Sequence, residues 1–278
     1  MNLPQFYIDD IIKTALKEDI NYIDITTDLL IAENSVSNAF FLSKAEGILA
    51  GLDIACRVME LSDRSVQIKK HFRDGERIKK DDIIAEFYGN TASLLKAERT
   101  ALNFLRHASG IATYTGRCVE EIKDTGARIT DTRKTLPGLR ALQKYSVVCG
   151  GGFNHRFNLS DAAMLKNNHI DACGGITKAV EILRSKIGHT ATIEAEVRNF
   201  EELNEALEAG LKIIMLDNMS TDDMKKAVKI TSSRALLEAS GNITLENLRQ
   251  VALTGVDIIS IGALTYGAGE FDASLRFA

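Results

Sequence analysis

Proline and cysteine are scarce in this chain: of 278 residues, two are prolines and four are cysteines. With so few prolines and no low-complexity run, no stretch reads as a long flexible linker. Cys56, Cys118, Cys149 and Cys173 lie far apart and show none of the paired spacings of a zinc site. Reduced thiols in a cytoplasmic protein are the expectation. No apolar run approaches the roughly 18 residues that span a bilayer, so no membrane role is expected. The opening residues, Met1-Asn2-Leu3-Pro4-Gln5-Phe6, lack the basic start and apolar core of a signal peptide. Basic charge is not in excess. The net charge of -4 argues against a general nucleic-acid binder, so any anion site must be local.

What is present suits an ordinary globular protein, with 45% hydrophobic and 26% charged residues. The length suggests one large domain, or a large one with a smaller companion. Against the acidic background one stretch stands out, from Asp131 to His169. Arg133 and Lys134 lie on one loop, His155 and Arg156 follow Gly150-Gly151-Gly152, and Lys166 precedes Asn167-Asn168-His169. Arginine holds a carboxylate or phosphate through two parallel hydrogen bonds, lysine acts as a point charge, and glycines let the backbone approach such a ligand. The alternative is a solvated basic face.

The periodicity predicts an amphipathic helix over 5–18, then strands near 37–43, 46–50, 66–71 and 83–87. Asp24 to Asp28 reads as a break made of turn and capping residues. A helical stripe from Thr91 to about Lys123 includes Leu94, Leu95, Ala101, Leu102 and Leu105, with Arg99 off its centre. Alone, Arg99 would be a surface arginine. From Ala127 onward, short apolar strands alternate with helices. The strands are expected at 128–130, 162–165, 192–195, 213–216, 235–237 and 258–261. Helix starts are marked by Asn199 with Glu202 and by Thr244, and stops by Gly210 and Gly255. Such repeats imply a parallel sheet, closed or nearly closed into a barrel.

Each barrel strand runs into polar residues: Thr132-Arg133-Lys134, Lys166-Asn167, Glu196 and Arg198, Asp217-Asn218, Ser240-Gly241-Asn242, and Gly262. Parallel barrels carry their sites at these carboxyl ends, so residues far apart in sequence should meet at one mouth. The late turns, Ser240-Gly241-Asn242 and Gly262-Ala263, suit phosphate. Glu196 and Asp217 suit Mg²⁺ or a positive charge developing in a transition state. Their alternative is ion pairing with Arg198 or a nearby lysine. Lys166 could also be read as a Schiff-base lysine of an aldolase, which leaves the paired cations without a purpose.

Taken together these runs resemble the quinolinate phosphoribosyltransferase family, the carboxylating nicotinate-nucleotide pyrophosphorylases of NAD biosynthesis. The resemblance covers essentially the whole chain. It is carried by Glu98-Arg99-Thr100-Ala101-Leu102-Asn103, Asp131-Thr132-Arg133-Lys134-Thr135, Asn154-His155-Arg156, Lys166 with Asn168-His169, Glu194-Ala195-Glu196-Val197, Leu216-Asp217-Asn218, Leu237-Glu238-Ala239-Ser240-Gly241 and Ser260-Ile261-Gly262-Ala263-Leu264-Thr265. It implies an incomplete parallel α/β barrel with an N-terminal α+β sandwich domain. The expected division is 1–110, 111–268, and a C-terminal segment 269–278 returning toward the first domain. It implies transfer of phosphoribose from 5-phosphoribosyl 1-pyrophosphate (PRPP) to quinolinate with Mg²⁺ and loss of CO₂. A homodimer or dimer of dimers is also implied, with Arg99 reaching the neighbouring site.

By motif, Arg99, Thr132, Arg133, His155 and Arg156 would bind quinolinate. Lys134 and Lys166 would meet PRPP phosphates, with Lys166 also near quinolinate. Glu196 and Asp217 would serve the ribose or Mg²⁺, and Ser240, Gly241, Asn242, Ile261, Gly262 and Ala263 would cradle the 5-phosphate. The sequence departs from the common pattern at Tyr266, where histidine is frequent, and at Leu136, Asn167 and Asn242. Leu136 also matches a related molybdenum-transport-associated group. That group, and a non-catalytic ligand-binding relative, are the alternatives.

Overall fold

A computed structural model describes residues 3–269 and 271–278; Met1, Asn2 and Glu270, within the expected terminal segments, lie outside the described residues. The chain begins with α1 (Gln5–Asp19), α2 (Ile25–Leu30), β1 (Val36–Ser43), β2 (Gly47–Ile48), α3 (Leu52–Ser62), β3 (Gln67–Lys70), β4 (Arg77–Ile78), β5 (Ile83–Asn90) and the long α4 (Thr91–Glu121). It continues through β6 (Arg128–Thr130), α5 (Arg140–Cys149), β7 (Ala162–Leu165), α6 (Asn167–Cys173), α7 (Ile176–Arg184), β8 (Thr192–Val197) and α8 (Phe200–Glu208). It ends with β9 (Ile213–Asp217), α9 (Thr221–Thr231), β10 (Leu236–Ser240), α10 (Leu245–Ala252), β11 (Ile258–Ser260), α11 (Ala263–Tyr266) and β12 (Ala273–Phe277). Two compact units result. One comprises Met1–Gly116, Thr135–Gly151 and Gly267–Ala278; the other comprises Arg117–Lys134 and Gly152–Tyr266.

The first unit is built on an antiparallel sheet of order β12-β1-β5-β3. Alternate residues of β1 and β5 are buried, as a half-covered strand requires. Phe41 and Phe87 meet edge to face there, with ring centres 4.7 Å apart. Burying each such ring stabilises by roughly 1.5–3 kcal/mol. Leu94, Leu102 and Leu105 of α4 pack into the same core with Ile12 of α1. The strand expected over 46–50 is only Gly47–Ile48, paired with β4.

Two elements of this unit escape local reading because their signals are distant. Gly51 adopts φ 79° at the start of α3, and the backbone N–H groups of Gly51 and Leu52 donate to Asp74. That cap comes from a residue two elements away. The first glycine of the run has a packing role as well. A Cβ on Gly150 would stand 2.4 Å from the carbonyl oxygen of Ala112, so this glycine lets α5 lie against α4.

The second unit is a six-stranded parallel sheet of order β6-β11-β10-β9-β8-β7. Consecutive strands are neighbours except β6 and β7, which form the two ends. Among the described residues only Phe153 bridges toward β6, in a parallel bridge to Thr130. The barrel is therefore incomplete. Helices follow the strands with readable caps: Asn199 accepts the Glu202 N–H, and Thr244 opens α10. Glu202 does not close the capping box; its carboxylate takes the Arg198 N–H instead.

One face of this sheet is apolar and buried, with Ile129, Ala195, Val197, Ile214, Leu216, Leu237, Ala239 and Ile259. The alternate residues form the other face. Thr130, Ser260, Ser240 and Asp217 are register partners on successive strands. Glu196, Met215 and Glu238 form another rung. Both faces of a parallel sheet are ordinarily apolar. Charged residues on this one mark it as the face that carries function.

Candidate active site

The second unit gathers nearly all the expected site residues at the carboxyl ends of its strands. Thr132, Arg133 and Lys134 follow β6, Lys166 follows β7, Glu196 lies inside β8, Asp217 ends β9, Ser240 ends β10, and Ile261 and Gly262 follow β11. The backbone of the first loop is fixed. The Lys134 N–H donates to Thr132 Oγ1 at 3.0 Å, and Thr265 Oγ1 donates to the Lys134 carbonyl at 2.7 Å. Arg99 is exposed on the part of α4 that belongs to the first unit.

The cations are arranged without full internal neutralisation. Arg133 Nε is buried and has no hydrogen-bond partner among the described residues. Arg156 donates from Nη1 to the Ala162 carbonyl at 2.8 Å. Burial, then the charge of Arg133, push its pKa below the usual guanidinium value. Two guanidinium groups that feel each other, one with an unmet buried donor, form a place for an anion. Lys166 Nζ is ion-paired with Glu196 Oε1. The alternative reading of Glu196 as paired with a nearby lysine is thus what this geometry contains. Arg198 stays outside the site, bound to Asp171 and Glu202.

The late turns are tightly built around Asn218. Its Nδ2 donates to Asp217 Oδ1 at 2.9 Å, its backbone N–H reaches the Ser240 carbonyl at 2.9 Å, and Asn242 Nδ2 donates to its Oδ1 at 3.0 Å. A Cβ on Gly241, which has φ 99°, would stand 2.2 Å from Asn218 Oδ1. Any side chain at 241 would therefore displace the residue that orients Asp217. Near Gly262 a Cβ would meet Tyr266 at 2.8 Å and Lys134 at 3.0 Å. Tyr266, the departure from the common pattern, thus stands beside the turn expected to hold phosphate.

Glu196 and Asp217 offer hard oxygen donors, the kind Mg²⁺ takes. Each already has one oxygen engaged, with Lys166 and with Asn218. That leaves room for an ion bound largely by a ligand's own oxygens. The donor set fits Mg²⁺ in that shared manner.

Sequence reasoning missed the layer beneath these groups. Asp131, Glu194, Glu238 and Ser260 are buried, the last three on the polar face. The available signal was a glutamate two residues before Glu196 and another two before Ser240, each on the strand's functional face. The Glu238 carboxyl is pushed up to about 7, first by burial and then by the Glu194 charge. Between its ordinary value of 4.5 and about 7, the folded chain keeps a proton that the unfolded chain has lost. Stability should therefore fall as pH rises through that window. Denaturant titrations at several pH values check this. A Glu238→Gln chain should show a flatter curve, and an unchanged slope would refute the attribution.

The sequence matches the family model for the N-terminal domain of quinolinate phosphoribosyl transferase over residues 24–109, and that for its C-terminal domain over residues 111–276. A probable nicotinate-nucleotide pyrophosphorylase (carboxylating) of Bacillus subtilis is 44% identical over 258 residues, covering 93% of this chain and 89% of the relative. The corresponding enzyme of Mycobacterium leprae is 39% identical, covering 96% of this chain and 95% of its own. Among solved structures, NadC from Streptococcus pyogenes superposes with TM-score 0.96 at 40% identity, covering 100% of this chain and 99% of that one. The nicotinate-nucleotide pyrophosphorylase of Francisella tularensis gives TM-score 0.95 at 41% identity, with 100% and 98% covered.

Proposed function

This chain belongs to the quinolinate phosphoribosyltransferase family, and from that membership and its site we infer the reaction. The chain transfers phosphoribose from PRPP to quinolinate, giving nicotinate mononucleotide, pyrophosphate and CO₂, a step of NAD biosynthesis. The observation that carries this reading is the Arg133–Arg156 pair, where a buried donor lacks a partner among the described residues and burial, then the Arg133 charge, push down the Arg156 pKa. A planar diacid is the complement of such a pair.

We propose the following roles. Arg133 and Arg156, with Lys166, grip the carboxylates of quinolinate, and Thr132 helps to fix that loop. Lys134 meets PRPP phosphate, and the turns at Ser240-Gly241-Asn242 and Ile261-Gly262-Ala263 cradle the 5-phosphate through backbone N–H groups. Pyrophosphate leaves as the C1–oxygen bond of the ribose breaks. Glu196 and Asp217 lie where the ribose acquires positive charge, and their carboxylates stabilise it. The pyridine nitrogen then bonds to C1. When the 2-carboxylate departs as CO₂ its electron pair stays on C2, stabilised by the adjacent cationic nitrogen, and a proton from water then fills C2 to give the nicotinate ring. No side chain forms a covalent intermediate; positioning and electrostatics supply the rate. Mg²⁺, when bound with PRPP, would neutralise charge on the departing pyrophosphate, with Glu196 and Asp217 as its protein donors.

Arg99 is proposed to act in the site of a second copy of this chain. Its exposure on α4, in the unit that does not hold the other site residues, supports this. A cytoplasmic location is likewise proposed. It suits four free thiols. Among the described residues no helix is long and apolar enough to cross a membrane.

The purified chain, given PRPP, Mg²⁺ and carboxyl-labelled quinolinate, should release labelled CO₂. Pyrophosphate formed from PRPP with nicotinate or another base, and no CO₂ from quinolinate, would point to the related pyrophosphorylases. Binding without release would make the chain a sensor.

A further inference from the structure

The turns that close β9 and β10 are joined by side chains as well as by the sheet. Asp217 and Ser240 are register partners at the ends of these strands. Asn218 continues the ladder, with its backbone N–H on the Ser240 carbonyl at 2.9 Å. Its side chain then reaches both ways. Nδ2 donates to Asp217 Oδ1 at 2.9 Å, and Oδ1 accepts from Asn242 Nδ2 at 3.0 Å. Asn242 is held in turn. Its carbonyl accepts Asn247 Nδ2 at 3.0 Å, and Asn247 Oδ1 takes the Thr244 N–H at 2.9 Å where α10 begins.

Asn218 and Asn242 both adopt the left-handed conformation, at φ 54° and 52°, which asparagine tolerates better than most residues. Glycine would satisfy that backbone at 242 equally well, so the turn alone does not require the side chain. The side chain adds a donor. An amide offers an acceptor at one end and donors at the other, and the two ends of Asn218 meet different partners. Turned over, its oxygen would face the Asp217 carboxylate and its NH₂ would face the Asn242 NH₂. The donor on Asn242 therefore selects the orientation in which Asn218 gives a hydrogen bond to Asp217. Asn218 and Asn242 are exposed, so water competes for these bonds, and the link governs aim more than stability.

We infer that the Asn242 side chain is a positioning group for Asp217, acting through the Asn218 amide, and that it couples the turn at 240–242 to the carboxylate that faces the ribose. This rests on the PRPP reading of the site. The path is short. A phosphate held by backbone N–H groups at 240–242 steadies the turn, the turn aims the Asn218 amide, and the amide holds Asp217 Oδ1. The other carboxylate oxygen stays available to the ribose. Such aim counts most where charge develops on the sugar, so its loss should fall on kcat.

A double-mutant cycle on the full chain tests it, with kcat, KM for both substrates, PRPP affinity by calorimetry with Mg²⁺, and melting temperature. Glycine is the probe at both positions, because it removes the side chain and keeps the backbone angle. Asn218→Gly should lower kcat about tenfold, in the range seen when the support of a site residue is lost. Asn242→Gly should lower it about fourfold, with the quinolinate KM within about twofold in both variants. The double variant should be no slower than Asn218→Gly alone, since Asn242 acts only through that amide. Melting temperatures should stay close to that of the unmodified chain. Should Asn218→Gly not fold, Asn218→Asp replaces it, keeping the shape and losing the donor toward Asp217, with the same pattern expected. A normal kcat for Asn242→Gly would overturn the inference, and so would penalties that multiply in the double variant. A loss that follows the melting temperature and disappears in a cooled assay would also overturn it, as the mark of a purely structural contact. A chain that binds PRPP but releases no CO₂ would sink the reaction reading alone, and the cycle would then be read in PRPP affinity, where the same non-additive pattern is expected. A chain that binds no PRPP would overturn both.

Discussion

Arg133→Ala should lower kcat/KM for quinolinate by about 2–4 kcal/mol, the usual cost of removing one partner of a buried charged contact. That is roughly 30- to 1,000-fold in rate at subsaturating substrate. The reason lies in the free chain. Arg133 keeps a buried Nε without a partner, and its charge pushes down the pKa of Arg156. Bringing a dianion between them satisfies the donor and relieves the repulsion together. Most of the loss should appear in the quinolinate KM, with the PRPP KM little changed. Arg133→Lys should fall between, since it keeps the charge and loses the planar fork. Steady-state kinetics with each substrate varied in turn will decide. A kcat/KM near that of the unmodified chain would remove Arg133 from the diacid site.

Asp217→Asn should lower kcat by about 10²–10³, or roughly 3–4 kcal/mol, with the quinolinate KM nearly unchanged. Asparagine has the same size, so the change removes charge and little else. The carboxylate is held for its task. Asn218 donates to it, adopts φ 54°, and is itself tied to Asn242 and to the Ser240 carbonyl. An interaction preorganised in this way stabilises charge that exists only in the transition state, so its loss shows in kcat. Measured kcat within a few-fold of normal would place the ribosyl charge elsewhere.

Much of the fold was legible in the sequence because its signals are local. The barrel strands alternate with helices whose caps, such as Asn199 and Thr244, are side chains of the helices' own first turns. The mouth was legible because polar residues follow apolar strands, and Arg133, Arg156, Lys166, Glu196 and Asp217 all belong to one unit. What was not legible depends on contacts distant in sequence. The cap of α3 is Asp74, and β12 becomes a strand only by pairing with β1. The carboxylate contacts of His155 were hidden for a similar reason. Glu194 and Glu238 look like strand glutamates until the barrel folds them onto one imidazole. Likewise, only the structure shows Lys166 engaged with Glu196.

The pairing of β12 with β1 bears on synthesis at the ribosome. Ala39 lies opposite Phe277, so the first sheet acquires its outer strand only after residues 273–277 emerge. The second unit ends at Tyr266 and can be complete before that moment. Until release, β1 offers an open hydrogen-bonding edge, the kind of surface on which nascent chains stick to one another. Substitutions within 273–277 that break this pairing should therefore lower the yield of properly folded protein.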